Sequence, residues 1–250
     1  MFELVEDVKA KVHIREYSVS QTTLEQIFNS LASQQEEEEE ELFVAFTKTV
    51  LITDSTRGIG LALVEHFLKA GWNVIGTARA GSNAEKATIL EVARQLEGQP
   101  IDLIINSAGI NLPGSLETGT KEVLMRQFEV NAVGPFLVAR TLLPNLQLAA
   151  NTRGFAFVVQ LSSFVGNMGS HTSETAAFFK DSLYGYGTSK AALNMITRSL
   201  AFDLQPKDIG TRKPADCVAA MTDLIAKLTP ESTGKFINLD QQIPVAELPW

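Results

Sequence analysis

Thr49-Val50-Leu51-Ile52-Thr53-Asp54-Ser55-Thr56-Arg57-Gly58-Ile59-Gly60 is the stretch on which the fold turns. Its first five residues are aliphatic or β-branched throughout, the pattern of a parallel strand buried on both faces. The run passes at once into a loop with glycine at 58 and 60, and Leu61 to Ala70 follows with helical amphipathicity. Strand, glycine turn and helix in immediate succession make a cradle for a phosphate. Bare backbone lets the anion approach, and the amides of the helix's first turn point at it. Thr53, Ser55, Arg57, Gly58, Ile59 and Gly60 are therefore candidate cofactor-binding residues.

A second short strand, Trp72 to Gly76, follows Gly71 and ends in Thr77-Ala78-Arg79. In a dinucleotide fold that strand end reads the adenosine ribose. Arginine there accommodates a 2′-phosphate, whereas a carboxylate binds the free hydroxyl. Arg79 and Arg57 together point to NADP in preference to NAD; a solvated surface charge is the alternative for either arginine.

Further along, Tyr186-Gly187-Thr188-Ser189-Lys190 opens the helical run Ala191 to Ile196. Four-residue spacing puts Tyr186 and Lys190 on one helical face. An ammonium beside a phenol stabilises the phenolate and lowers a pKa that is ordinarily about 10, which makes the tyrosine a proton donor for carbonyl reduction. A tyrosine packed next to a solvated lysine is the structural alternative. Tyr184 competes with Tyr186, but its fourth neighbour is Thr188, which carries no charge.

From about Lys48 to Trp250 the chain resembles the short-chain dehydrogenase/reductase family, in particular small carbonyl reductases of the C-signal and Sniffer type. The pieces occur in family order: the glycine loop; Asn106-Ser107-Ala108-Gly109 after the strand Ile101 to Ile105; Asn131 in Val130-Asn131-Ala132-Val133-Gly134; Ser162-Ser163 after Phe155 to Leu161; and Tyr186 with Lys190. The resemblance implies an α/β fold with a Rossmann-type, doubly wound parallel sheet. Tyr186 is then the general acid. Lys190 holds the ribose hydroxyls and tunes the tyrosine, Ser163 hydrogen-bonds the carbonyl, and Asn131 anchors a water relay to the lysine. Asn106, Ala108 and Gly109 line the adenosine and ribose side. Ser162 is the alternative to Ser163, and a helix-breaking residue satisfied by backbone is the alternative for Asn131.

Three departures from the family pattern stand out. Asp54 occupies the first glycine position of the loop, where its side chain and charge weaken cofactor binding while an Asx hydrogen bond preserves the turn. After Arg79 only one helix, Glu85 to Leu96, fits before Ile101, so an edge strand is expected to be absent. After Asp208-Ile209-Gly210 the segment Thr211-Arg212-Lys213-Pro214 is expected to enter the helix Ala215 to Leu228 directly, without the family's interior strand and Pro-Gly loop. Both gaps read as skipped coding segments. Gly234 to Asp240 still reads as the last strand, Gln241 to Glu247 as an insertion, and Gly166 to Leu183 as a substrate-covering flap or a surface loop.

Of 29 acidic and 21 basic residues, 11 and 3 lie in Met1 to Glu41, so the net charge of −8 belongs to that segment and the remainder is neutral. Glu36 to Glu41 is a self-repelling linker. Ahead of it, Thr22-Thr23-Leu24-Glu25 is a capping box, with Leu24, Ile27, Phe28 and Leu31 on one helical face. Met1 to Gln35 resembles the C-terminal tail of A-subfamily ABC transporters. It contains no Walker loop, so it implies no ATPase activity, and a joined neighbouring gene would explain it. Residues 1–41 are thus a helical tail and linker, and residues 42–250 one NAD(P)-binding domain with ample core.

The lone Cys217 sits in an apolar helical pattern as a buried thiol, and His13, His66 and His171 give no ligand spacing, so no metal site is indicated. Without a signal peptide or a run of about 18 apolar residues, the cytoplasm is the simplest compartment. The resemblance implies a small carbonyl or alcohol substrate, no nucleic-acid or membrane partner, and a homodimer or homotetramer through Leu116 to Leu142 and Lys190 to Leu204. The function read is an NADP-dependent oxidoreductase transferring hydride between nicotinamide and that substrate. Two rivals are a truncated, non-catalytic dinucleotide-binding or scaffold protein and, on the tail alone, a transporter fragment.

Overall fold

A computed structural model of the chain describes residues 47–78, 89–173, 183–215, 236–238 and 247–248. The acidic tail, Arg79, Cys217 and the helix expected to run to Leu228 beyond Ala215 lie outside these residues.

Strand β1, Thr49–Thr53, is buried at every position, as its unbroken aliphatic pattern requires of a strand covered on both faces. It pairs in parallel with β2, Asn73–Thr77, on one side and with β3, Leu103–Asn106, on the other. The order β2-β1-β3-β4-β5-β6-β7 places β4, Ala156–Gln160, next to β3. The chain leaves β1 in one direction along the sheet and returns on its other side. That reversal opens a crevice beyond the carboxyl ends of β1 and β3, the ligand position of open α/β sheets.

The interior strand expected to be missing is present. Strand β5, Ile209–Ala215, pairs Ile209 to Arg212 with β4 and Lys213 to Ala215 with β6, Phe236–Asn238. This stagger explains how a segment containing Arg-Lys-Pro enters a sheet. Pro214, which has no amide proton, falls past the last residue bridged to β4, so the β4 ladder loses no bond to it. Strand β7, Glu247–Leu248, folds back antiparallel on β6. Beyond β2 no further strand pairs among the described residues, and residues 79–88, which follow β2 in the chain, lie outside them.

Apolar residues cover both faces. Leu63 and Phe67 of helix α1, Gly58–Lys69, pack with Val50, Ile52, Leu103 and Ile105. On the opposite face Leu51, Ile104 and Val158 meet Ala139 of α4, Gly134–Thr141, Leu146 of α5, Leu143–Arg153, and Leu200 of α6, Thr188–Leu204. Each fully buried aliphatic side chain contributes about 1.5 to 3 kcal/mol. Helix α2, Ile89–Gln95, lays Ile89, Val92 and Ala93 against the same cluster, the face its periodicity marks. Helix α3, Lys121–Phe128, continues into α4 through a π-helical turn, Glu129–Val133.

Candidate active site

The glycine loop joins β1 to α1 in a tight crossing. A Cβ on Gly60 would lie 2.1 Å from the Asp54 carbonyl oxygen, so only glycine fits. Gly58 has φ 54° and no atom within 4 Å of where a Cβ would stand, which leaves open space above the loop. Arg57 is the exposed N-cap of α1; no side chain caps the helix, and its first turn holds no acidic residue. The first amides of α1 therefore face that space unopposed, the chemistry an anion needs.

Ser55 closes the loop onto β2. Its amide and its hydroxyl both donate to the Thr77 carbonyl, at 2.9 and 3.0 Å. Asp54 takes φ 55°, the left-handed conformation glycine adopts freely, and no Asx hydrogen bond forms on its carboxylate among the described residues. The turn thus holds through its surroundings and not through the side chain's own bond.

Thr53 accepts from the Ala108 amide at 3.0 Å, which draws the Asn106 to Gly109 loop beside the glycine loop. Between them opens a cleft of about 410 Å³, lined by Asp54, Ala108, Gly109, Leu112 and Arg126. An adjoining apolar cavity of about 490 Å³ reaches under Ile89, Val92 and Val133. Both volumes lie in the range of cofactor pockets. Asn106 lines the second cavity, and its Oδ1 is buried without a partner. Bare amides and hydroxyls, with one orphaned amide oxygen as acceptor, over an apolar wall fit a dinucleotide; the carboxylate of Asp54 at the loop opposes its phosphates.

Asn131 sits within the π-helical turn, fully buried. Its Oδ1 accepts from the Ile110 amide and its Nδ2 donates to the Ile110 carbonyl, both at 2.8 Å, while Nδ2 also donates to Ser189 Oγ at 3.0 Å. Pro135, four residues on, has no amide to offer the Asn131 carbonyl, a local reason for the helix to widen there. Single-turn π bulges recur at functional sites.

Ser162 and Ser163 differ in environment. Ser162 is buried and its hydroxyl donates to Asn194 Oδ1. Ser163 is half-buried, and its hydroxyl caps nothing in the 3-10 turn Phe164–Gly166 that follows. Of the pair, Ser163 therefore has the hydroxyl left for a substrate.

Tyr186 lies in a π-helical turn, Leu183–Gly187, at the entry to α6. The Lys190 Nζ stands 5.7 Å from the Tyr186 ring centroid and donates to the Leu161 carbonyl at 2.6 Å. Lys190 is 4% exposed, and burial pulls its ammonium from 10.5 down to about 8. The lysine approaches this closely because Gly109 and Gly166 have no side chains: a Cβ on Gly109 would lie 3.5 Å from Nζ, and one on Gly166 would lie 2.7 Å from Lys190 Cβ. Tyr184 is 46% exposed, and among the described residues it is Tyr186 whose ring faces the Lys190 ammonium.

Ala108 and Gly109 line the cleft, Thr53 and Asn106 line the adjoining cavity, and Ser55, Gly58 and Gly60 belong to the loop beside them. Asn131 and Lys190 stand next to Gly109, with Tyr186 against Lys190. Ile59 is 41% exposed in the first turn of α1. Two residues escaped the sequence reading. Asn194, one turn after Lys190, takes the Ser162 hydroxyl and donates to the Gly166 carbonyl at 2.9 Å, bracketing Ser163. Gln127, one turn before Asn131, is fully buried and bonds the Leu112 backbone. The available signal is an uncharged amide on a helical face whose spacing otherwise calls for apolar residues. Among the described residues no three His, Cys, Asp or Glu side chains cluster for a metal, and no helix is long and apolar enough to cross a membrane.

A Rossmann sheet with this cleft and this tyrosine and lysine defines the class of NAD(P)-dependent oxidoreductases. The short chain dehydrogenase family model matches residues 86–230, and the chain belongs to that family. It is 32% identical over 170 residues to C-signal of Myxococcus xanthus, covering 60% of this chain and 93% of that protein. It is 30% identical over 191 residues to FixR of Bradyrhizobium diazoefficiens, covering 65% of this chain but only 63% of FixR. An NADP-dependent (R)-specific alcohol dehydrogenase of Lentilactobacillus kefiri is 26% identical over 189 residues, with 66% and 69% covered. Among solved structures, Sniffer of Caenorhabditis elegans superposes with a TM-score of 0.66 at 26% identity, over 77% of this chain and 96% of that one.

Proposed function

We propose that this chain reduces small carbonyl compounds with NADPH, or oxidises the matching alcohols with NADP. The observation that carries this reading is the buried Lys190 ammonium beside the Tyr186 ring at the end of the cleft. When bound, the reduced nicotinamide supplies the hydride. Tyr186 gives its phenolic proton to the substrate oxygen, and the Lys190 ammonium stabilises the phenolate that remains. Ser163 donates a hydrogen bond to the same oxygen and fixes the carbonyl's orientation. Lys190 spends one donor on Leu161 and keeps the others for Tyr186 and the ribose hydroxyls. The carbonyl carbon gains hydride and its oxygen gains a proton, and the tyrosine recovers a proton from solvent along the lysine and Asn131.

Preference for NADP rests on Arg57, exposed at the loop, and on Arg79 in the sequence, and it agrees with the NADP dependence named for the Lentilactobacillus relative. Residues 42–250 carry this activity in the cytosol, with the acidic tail as an appendage. Exposed Met195 and Phe202 on α6 support a homodimer or homotetramer through that helix. The interior strand β5 removes the main ground for a truncated scaffold. Fluorescence titration of the full chain with NADPH, followed by a panel of aldehydes and ketones, tests the reading. Binding with turnover is expected; binding without turnover refutes it.

A further inference from the structure

We infer that Gln127 is a positioning residue for Tyr186, coupling the wall of the cofactor cleft to the turn that carries the tyrosine. This inference rests on the function proposed above.

Its side chain forms a second amide clamp parallel to that of Asn131. The Leu112 amide donates to Gln127 Oε1 at 3.0 Å, and Gln127 Nε2 donates to the Leu112 carbonyl at 3.2 Å. Asn131 holds Ile110 in the same two-ended way. The two clamps match because their spacings match. Four helical residues advance about 6 Å, and two extended residues advance about 6.6 Å. Gln127 and Asn131 therefore meet alternate residues of the loop running past them.

The same two amides meet the entry to α6 on their other side. Asn131 donates to Ser189 Oγ, which in turn donates to the Tyr186 carbonyl at 2.7 Å. Four residues before Ser189 lies Gly185, where a Cβ would come within 2.0 Å of Gln127 Nε2. Loop residues 110 and 112, amides 131 and 127, and residue 189 of α6 with residue 185 of the turn thus form two rungs, and Tyr186 sits between them. The upper rung uses the residue the family pattern identifies. The lower one requires an amide at 127 and the absence of a side chain at 185.

An apolar residue at 127 would leave both Leu112 backbone groups without their partner and free the turn at Gly185. Ala108 would stay tied to Thr53 and Ile110 to Asn131, so the cofactor's binding surface would largely persist. The effect then falls on the placement of the phenol, where a misplacement of about 1 Å costs on the order of a hundredfold in rate.

The test compares Gln127→Met, which keeps the length and loses the amide, with Gln127→Glu, which keeps an acceptor for Leu112 N, in the full-length chain. Expected in Gln127→Met are a kcat lowered by about ten- to a hundredfold, an NADPH Kd within about threefold, faster amide hydrogen exchange across 183–187, and partial recovery of kcat in Gln127→Glu. Should Gln127→Met not fold, Gly185→Ala in the native Gln127 background probes the same contact and is expected to lower kcat alike. A folded variant with native kcat and native exchange across 183–187 overturns the inference. So does a loss that appears only in NADPH affinity. If the native chain turns over no carbonyl at all, the functional reading fails, and the exchange across 183–187 still decides whether Gln127 holds the turn.

Discussion

Gly60 crosses Asp54 so closely that a Cβ on Gly60 would stand 2.1 Å from the Asp54 carbonyl oxygen. The phosphate-facing turn is therefore set by backbone contact between these two residues, and the aspartate in it has the backbone of a glycine, with φ 55°. Its side chain adds a carboxylate to a cleft built for an anion without improving the turn.

Asp54→Gly is accordingly expected to tighten NADPH binding by about tenfold, roughly 1.4 kcal/mol, with stability changed by less than about 1 kcal/mol. Gly60→Ala is expected to abolish binding. Fluorescence titration measures both, and an unchanged or weaker affinity in Asp54→Gly contradicts the assignment of Asp54.

Lys190 sets a pH dependence with a definite sign. Its ammonium is held at about 8 by burial, below the 10.5 of the free side chain, so between those values the unfolded chain binds more protons than the folded one. Stability then rises with pH from about 8 to about 10.5, by on the order of 3 kcal/mol at about 1.4 kcal/mol per pH unit. Below about 8 the folded state bears the full cost of the buried charge. Denaturant titrations of the wild type and Lys190→Met across that window check this, the variant showing a flatter profile. In the proposed mechanism the lysine acts as the charged ammonium, so carbonyl reduction is expected to fall as pH rises through about 8.

Ser162 and Ser163 separate by what they affect. Ser163→Ala is expected to lower kcat by about a hundredfold with little change in stability, as for the loss of a donor to a developing oxyanion. Ser162→Ala leaves Asn194 Oδ1 without its donor and is expected to cost about 1 to 3 kcal/mol of stability with kcat nearly retained. Thermal melts and steady-state kinetics on both variants decide, and the reverse pattern would exchange their roles.

Much of this site was legible because its signals are local. The glycine loop, the Asn106 to Gly109 loop and the Tyr186 and Lys190 pair each declare themselves by residue type and spacing over a few positions. The aliphatic run Thr49 to Thr53 likewise announces a buried strand, and Ile89, Val92 and Ala93 announce the inner face of α2. Strand β5 was not legible, because Arg212, Lys213 and Pro214 argue against an interior strand unless one knows that β4 and β6 pair with different halves of it. Gln127 and Asn194 were hidden for a related reason. Their partners, Leu112 and Gly166, are distant in sequence and meet them only once the helices dock.

The acidic tail is expected to be dispensable to the domain. Removing residues 2–41 should leave the melting temperature and NADPH affinity unchanged, because that segment carries the sequence's charge imbalance, 11 acidic against 3 basic residues in Met1 to Glu41, and the rest of the chain is balanced without it. A marked fall in melting temperature would instead make the tail part of the fold.

The most direct measurement is the turnover of a ketone by Tyr186→Phe, made alongside its NADPH affinity. Loss of the phenolic proton with the ring retained should reduce turnover by about a hundredfold to ten-thousandfold while NADPH still binds. A Tyr186→Phe enzyme that reduces ketones at the wild-type rate would contradict the account.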